Sequence, residues 1–174
     1  TLFTMAAVLL SGGTGMIGSH LQKFLLLKGY SVIVLIRNEK DMKSSNKNIS
    51  YAKWNVEKAE IDKAAIASAD YIIHLAGANV AEKRWTDERK KEIIDSRAKA
   101  IDLIYNLLRT KPHQVKAIVS ASAIGYYSDR GDELQTEDSP PNTDFMGRCC
   151  VEWEAAVDEG QKLGLRVLKF RTGV

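Results

Sequence analysis

Short apolar runs alternate along the chain with segments in which apolar residues return every three or four positions. The runs predict six strands, at residues 7–11, 31–36, 49–54, 71–75, 115–120 and 165–170. Runs such as SVIVLI and YIIHLA are apolar almost throughout instead of alternating with polar residues. This pattern is typical of parallel strands that are covered on both faces of a sheet.

The intervening segments predict helices. Between the first two strands, Ile17, Leu21, Phe24 and Leu25 share one helical stripe, and Gly29 is a natural stop. A long helix is predicted over 86–108, with Thr86 as its N-cap, and another over 145–163. The alternation of strands and helices predicts an α/β fold with a doubly wound parallel sheet, formed as one domain over residues 1–174.

Composition and charge narrow the function classes. The 174 residues include 25 basic and 22 acidic ones, and the densest basic stretch, EKRWTDERKKE, is interleaved with acids. This indicates a solvated helix face and argues against a nucleic-acid partner. No apolar run approaches the ~18 residues of a membrane span, and no signal peptide is expected at the start. The adjacent Cys149 and Cys150 fit a reduced, cytoplasmic setting, and the three histidines share no metal-ligand spacing.

A glycine-rich turn, SGGTGMIG, joins the first predicted strand to the first helix. In this position Gly12 permits a sharp turn, Gly15 lets a pyrophosphate approach the backbone, and Gly18 allows tight packing of the helix on the strand. The spacing is G-x-x-G-x-x-G instead of G-x-G-x-x-G, and a simple glycine-rich turn is the alternative. The context favours a dinucleotide site.

The end of the second strand indicates which dinucleotide is bound. NAD-binding proteins usually place an acid there, whereas this strand ends at Arg37, with Lys40 just beyond. A guanidinium can hold a 2′-phosphate through two hydrogen bonds, so NADP is favoured. Glu39 could instead turn inward, and Arg37 could be an ordinary surface residue.

Three motifs resemble the extended short-chain dehydrogenase/reductase superfamily: GGTGMIG at 12–18, HLAGANV at 74–80 and SASAIGYY at 120–127. RWT at 84–86, DSR at 95–97, WEAA at 153–156 and RTGV at 171–174 are similar to signatures of an atypical branch, the epimerase-family or nucleoside-diphosphate-sugar-epimerase-like proteins. The resemblance covers essentially the whole chain. It implies a Rossmann NAD(P)-binding fold and a small-molecule substrate, with a nucleotide sugar as one candidate.

The resemblance also implies a set of cofactor-binding residues. It places the phosphate loop after the first strand, at Gly12, Gly13, Thr14, Gly15, Met16 and Ile17, and the adenosine ribose beside the fourth strand, at Leu75, Ala76 and Gly77. It also places two charged residues of the long helix, Glu92 and Arg97, near the cofactor, and it gives the backbone of Val174 a contact to the nicotinamide. For Glu92 and Arg97, an ordinary charge on a solvated helix is the alternative.

The catalytic residues depart from the superfamily pattern of a serine followed by Tyr-x-x-x-Lys. The serine is retained as Ser122, but the tyrosine and lysine positions fall on Phe145 and Cys149. Phenylalanine carries no proton to transfer, and cysteine supplies no fixed positive charge. Tyr126, four residues after Ser122, is therefore a candidate for proton transfer, with a packed loop aromatic as the alternative. The thiol of Cys149 is a second candidate, because a helix start could lower its pKa, with a small buried apolar residue as the alternative.

Two functions follow from these features. The first is an NADP-dependent oxidoreductase or epimerase-like enzyme, in which Ser122 would hydrogen-bond a developing oxyanion while Tyr126 or a water handles the proton. The second is a binding protein that senses NADP(H) without turnover. In the superfamily the substrate is held largely by a segment after the sixth strand, where this sequence ends, so we expect the natural protein to continue further.

Overall fold

The computed structural model describes residues 5–42 and 44–173. Its seven strands are β1 Ala7–Ser11, β2 Ser31–Ile36, β3 Ile49–Asn55, β4 Glu60–Ile61, β5 Tyr71–His74, β6 Ala117–Ala123 and β7 Arg166–Thr172. They form one sheet in the order β4-β3-β2-β1-β5-β6-β7, with every neighbouring pair parallel except β3 and β4. The chain therefore winds outward from β1 in both directions. The predicted doubly wound parallel sheet is confirmed.

The helices are α1 Met16–Leu27, α2 Lys63–Ala67, α3 Asp87–Thr110 and α4 Phe145–Asp158, and α4 continues as a 3-10 helix over Glu159–Leu163. Thr86 caps α3 as predicted, because its hydroxyl accepts a hydrogen bond from the N–H of Arg89 at 3.2 Å. The short strand β4 and helix α2 were not predicted. Both are too short to show a hydrophobic period.

Two apolar clusters cover the two faces of the sheet. On one face α1 packs through Leu25 against strand residues such as Val8 and Val34. On the other face, α3 packs through Ile101 and Ile104 against strand residues. This cluster includes residues of β1, β2, β5 and β6. Burial on both faces explains why the central strands are continuously apolar.

The predicted apolar stripe of α1 is correct at Leu21 and Leu25, which pack against the sheet, and wrong at Ile17 and Phe24. Ile17 and Phe24 are 58% and 54% exposed, whereas Gly18 and Leu25 are buried. The reason is Gly18, because a Cβ there would lie only 2.6 Å from the Cα of Gly13. The first turn of the helix therefore approaches the strand through Gly18, a residue without a side chain, and Ile17 is left exposed.

Candidate functional site

The glycine turn lies at the carboxyl end of β1, where the sheet order reverses. Gly12 has a φ of +71°, and a Cβ at that position would lie 2.7 Å from the carbonyl carbon of Leu75. At Gly15, by contrast, a Cβ would meet only the carbonyl oxygen of Gly12, at 3.4 Å. The turn is thus packed tightly against its neighbours at Gly12 and open at Gly15, which is the residue expected to face a diphosphate.

The start of α1 fits an anionic group. Gly15 is the N-cap, no side chain caps the first turn, and the first turn contains no acidic residue. Uncapped N–H groups and the positive end of the helix dipole favour a phosphate at such a position. The side chain of Gln22 donates to the carbonyl oxygen of Gly13 at 2.8 Å and holds the turn in place. The residues present therefore fit a dinucleotide diphosphate.

In open α/β sheets, ligands bind in the crevice outside the carboxyl ends of the strands at the switch point. Here the segment after β5 lies against the glycine turn at that point. The N–H of Leu75 donates to the carbonyl oxygen of Ser11 at 3.1 Å, which joins the ends of β1 and β5. Below it, the Ser11 hydroxyl and Nδ1 of His74 are 2.8 Å apart in the core. Burial lowers the pKa of His74 to about 4, so the ring is neutral near pH 7. Leu75 and Ala76 thus lie beside the glycine turn. Their place beside the adenosine ribose stays a prediction.

Arg37 directly follows the carboxyl end of β2 and is exposed. Its side chain makes no hydrogen bond or ion pair within residues 5–42 and 44–173. Glu39 does not turn inward, because its carboxylate is paired with Lys53 of β3. The hydrogen bond from Lys53 lowers the pKa of Glu39, which keeps this carboxylate ionised. The guanidinium of Arg37 is therefore available to an outside anion.

The charged residues of α3 separate into two groups. Arg97 packs against Gly77, since a Cβ there would be 2.9 Å from Cζ of Arg97. Glu92 instead accepts a hydrogen bond from Arg89 at 2.7 Å. Arg89, which the sequence did not single out, is buried and also donates to the carbonyl oxygen of Asn79 at 2.6 Å. The structure thus places Arg97 against the segment that follows β5, whereas Glu92 is paired with Arg89, which binds the same segment at Asn79.

A cavity of about 390 Å³ opens beyond the end of β6. The segment Ala123 to Gly125 and helix α4 form two of its walls, with Cys149, Cys150 and Trp153 on the helix. Arg97 reaches it from α3. Cys149, which the resemblance assigns to the position of the superfamily's lysine, is thus part of the cavity wall. Phe145 is not, because its ring packs on Trp85 with the ring centroids 5.0 Å apart.

Ser122 and Tyr126 lie at and just beyond the end of β6, where the Ser122 hydroxyl and the Tyr126 ring each contact another side chain. The buried hydroxyl of Ser122 donates to Glu154 at 2.6 Å. The ring of Tyr126 is covered by the guanidinium of Arg171, with Cζ 3.5 Å from the ring centroid. Neither residue is among the described residues that line the cavity. A hydroxyl has one proton to donate, so Ser122 cannot serve an oxyanion while it holds Glu154.

Glu154 and Arg171 form a buried ion pair that sequence reasoning missed. The Nε and Nη2 groups of Arg171 donate to the two carboxylate oxygens at 2.8 and 2.9 Å. Burial alone would raise the pKa of Glu154, but the hydrogen bonds from Arg171 and Ser122 outweigh it and lower the pKa. Both residues belong to motifs that carry the resemblance, WEAA and RTGV, and that was the available signal. Val174, the last residue of RTGV, lies outside the described residues.

A parallel sheet of this order with a glycine turn at its switch point defines a Rossmann-type nucleotide-binding domain. The model of the NAD dependent epimerase/dehydratase family matches residues 8–158, and the chain belongs to this family. The resemblance noted from the sequence motifs is confirmed.

Individual relatives agree with this assignment. Epimerase family protein Mb2239 of Mycobacterium bovis is 31% identical over 169 residues, which are 97% of this chain and 54% of that protein. The crystal structure of the nucleoside-diphosphate sugar epimerase from Corynebacterium glutamicum superposes with a TM-score of 0.77 at 31% identity, covering 98% of this chain and 34% of that one. Human epimerase family protein SDR39U1 (isoform 2), solved with NADPH, gives a TM-score of 0.69 at 28% identity, over 86% and 48%. The chain spans about half the length of the curated relatives it matches.

No helix of the described residues is both long enough and apolar enough to cross a membrane.

Proposed function

We propose that this chain binds NADP(H) in the crevice between β1 and β5 and is the cofactor domain of an oxidoreductase or epimerase-like enzyme. The observation that carries the proposal is the glycine turn, closed at Gly12 and Gly18 and open at Gly15, at the switch point of the sheet. The turn and the uncapped start of α1 hold the diphosphate. Leu75, Ala76 and Gly77 border the adenosine ribose. The two free, buried cysteines support a cytoplasmic setting.

Arg37 supports NADP as the form of the cofactor. Its exposed guanidinium has no partner within the described residues, and the nearest acid in sequence, Glu39, is paired with Lys53. A 2′-phosphate offers a guanidinium two charge-assisted hydrogen bonds, whereas ribose hydroxyls offer neither the charge nor the geometry. The NADPH in the structure of the human relative supports the same choice.

When bound, the nicotinamide ring supplies hydride exchange with a carbonyl or carbinol carbon. The chain's own part is to position the reactants and to manage the proton. Tyr126, whose hydroxyl has no partner among the described residues, is the proposed proton carrier. Ser122 contributes an oxyanion hydrogen bond if its bond to Glu154 is released. A nucleotide sugar is the proposed substrate class, on the strength of the Corynebacterium glutamicum relative.

The alternative function is a protein that binds NADP(H) without turning a substrate over. Phe145 and Cys149, in place of the superfamily's tyrosine and lysine, favour it, and so does the engagement of Ser122 with Glu154.

Two experiments test the proposal. Calorimetric titration of the chain with NADPH tests the cofactor site, and loss of binding in Gly15→Val with an unchanged melting temperature is expected. NADPH oxidation by the full-length protein with a panel of carbonyl compounds tests turnover. We expect Tyr126→Phe and Ser122→Ala each to lower the rate at least tenfold. An unchanged rate removes that residue from the mechanism, and a full-length protein that binds NADPH but oxidises none of the panel favours the sensing function.

A further inference from the structure

Trp85 is a large aromatic side chain that the fold leaves at the surface. It is 43% exposed, whereas the other two tryptophans, Trp54 and Trp153, are each 7% exposed. It ends the loop after β5, directly before the residue that caps α3. Exposure alone is common for apolar side chains, so the orientation and the position of the ring decide what it can bind.

The indole ring of Trp85 is held in one orientation. Its Nε1–H group donates to the carbonyl oxygen of Val80 at 2.7 Å. Its ring packs against the ring of Phe145, with the centroids 5.0 Å apart and the planes inclined by 63°. The loop that carries Trp85 is itself tied to α3, because the N–H of Ala78 donates to the hydroxyl of Ser96 at 2.9 Å. A ring that is fixed in advance loses little conformational entropy when a ligand stacks on it.

The contacts of Trp85 place it at the rim of the cavity beyond β6. Val80 lines that cavity, and so does Met146, the residue after Phe145. The rim lies on the β6 side of the switch point, whereas Arg37, the proposed contact of the 2′-phosphate, follows β2 on the other side. Burial raises the pKa of the Cys149 thiol in the cavity wall, instead of a helix start lowering it, so this thiol is uncharged near pH 7.

A free cation lies next to the aromatic ring in sequence. Arg84 is exposed, and its guanidinium makes no hydrogen bond or ion pair within residues 5–42 and 44–173. The nearest acid before it, Glu82, is paired with Arg89. A guanidinium can hold a diphosphate through two charge-assisted hydrogen bonds. A flat aromatic ring beside a free guanidinium matches a nucleotide, which presents a base and phosphates together, better than a neutral sugar.

We propose that Trp85 is a substrate-binding residue that stacks on the nucleobase of a nucleotide sugar, while Arg84 binds the diphosphate. The inference rests on the proposed function, because it takes the substrate to be a nucleotide sugar. The sugar then extends into the cavity, whose volume of about 390 Å³ lies within the range for small-molecule sites. Stacking on an aromatic side chain tolerates different bases, since every base has a π-face. The proposal therefore defines the class of substrate and leaves the base open.

The test is calorimetry on the full-length protein, with saturating NADPH and without it. The probes are the diphosphates of uridine, cytidine and guanosine; uridine, which lacks the diphosphate; and glucose 1-phosphate and inorganic pyrophosphate, which lack the base. The variants are Trp85→Leu, Trp85→Phe and Arg84→Gln. Phe24→Leu is the matched control, because it removes an aromatic ring that is 54% exposed on α1. Melting temperatures verify folding.

We expect at least one nucleoside diphosphate to bind. Trp85→Leu weakens this binding about tenfold, because stacking is lost, whereas Trp85→Phe keeps a flat ring and stays within about threefold of wild type. Arg84→Gln weakens binding of the diphosphate but not of uridine, and Phe24→Leu changes neither. NADPH affinity stays within about twofold in every variant. If Trp85→Leu does not fold, the fluorescence that wild type has in excess of Trp85→Phe reports on Trp85, and the same diphosphate quenches it.

No binding of any nucleoside diphosphate, equally tight binding of glucose 1-phosphate or pyrophosphate, or no loss in Trp85→Leu overturns the proposal. An absent quench in the fluorescence comparison does the same. Equal losses in Trp85→Leu and Trp85→Phe also overturn it, because the indole N–H and not the ring face then carries the effect. A parallel fall in NADPH affinity overturns it by assigning Trp85 to the cofactor site. If a nucleoside diphosphate binds through Trp85 but NADPH does not bind, the proposed function fails and the base-stacking site stands.

Discussion

Replacing Glu154 by glutamine removes the charge at the centre of the network that joins β6, β7 and α4. Its carboxylate accepts hydrogen bonds from Ser122 at 2.6 Å and from two nitrogens of Arg171. The side chains of Glu154 and Arg171 are only 8% and 18% exposed. Breaking a pair this deeply buried leaves a desolvated guanidinium and typically costs ~3–5 kcal/mol. We expect Glu154→Gln to lower the free energy of unfolding by about 3 kcal/mol, because the amide retains some hydrogen bonding.

The assay is urea unfolding at pH 7, with Glu152→Gln as the control. Glu152 is exposed on the same helix, and its replacement should change the free energy of unfolding by less than ~0.5 kcal/mol. Because the pKa of Glu154 is lowered in the folded protein, its contribution is present above the ordinary glutamate pKa and is lost as the pH falls through the lower folded value. The difference between wild type and Glu154→Gln should therefore shrink in strongly acidic solution. A cost below ~1 kcal/mol at pH 7, or one equal to that of Glu152→Gln, would refute the reasoning.

Two further predictions concern the crevice. Gly18→Ala should lower the melting temperature, because its Cβ would press on the backbone of the glycine turn. Gly15→Ala should leave the melting temperature unchanged and weaken NADPH binding at least tenfold. The reverse pattern in calorimetry and thermal melts would contradict the roles of these residues. His74 is buried, and its pKa in the folded protein is about 4. The unfolded chain therefore binds one more proton than the folded protein between pH 6.5 and 4, and the free energy of unfolding falls by ~3 kcal/mol as the pH decreases through this window. Denaturant titrations should show that His74→Gln loses less stability than wild type over that window, and parallel pH profiles would contradict the prediction.

Much of the fold could be predicted because it is encoded locally. The apolar runs predicted the positions of the strands, and Thr86 with the two acidic residues that follow it predicted the start of α3. The inward face of α1 could be predicted from hydrophobicity only at Leu21 and Leu25, because its first contact is made by Gly18, a residue that hydrophobic periodicity does not count. β4 has two residues and α2 has five, so neither shows a hydrophobic period, although Asp62 caps α2 through the N–H of Ala64.

In the candidate site, too, the features formed by consecutive residues could be predicted and those formed by distant residues could not. The glycine turn is recognisable because consecutive residues form it. The bond between Ser122 and Glu154 joins residues 32 positions apart, and nothing local indicates that the serine hydroxyl is engaged. The same holds for Arg97, whose place in the cavity wall depends on the packing of α3 against α4. Sequence motifs thus located the functional region, while the direction of each polar group required the tertiary structure.

The most direct test of the account is the ratio of the dissociation constants for NADH and NADPH, measured by calorimetry on wild type and on Arg37→Asp. Hydrogen bonds to a charged group contribute ~1.5–3 kcal/mol, so wild type should bind NADPH about 10- to 100-fold more tightly than NADH. In Arg37→Asp the carboxylate repels the 2′-phosphate and can accept hydrogen bonds from the ribose hydroxyls, so the preference should reverse. Equal affinity of wild type for the two dinucleotides, or a ratio unchanged by the substitution, would contradict the account.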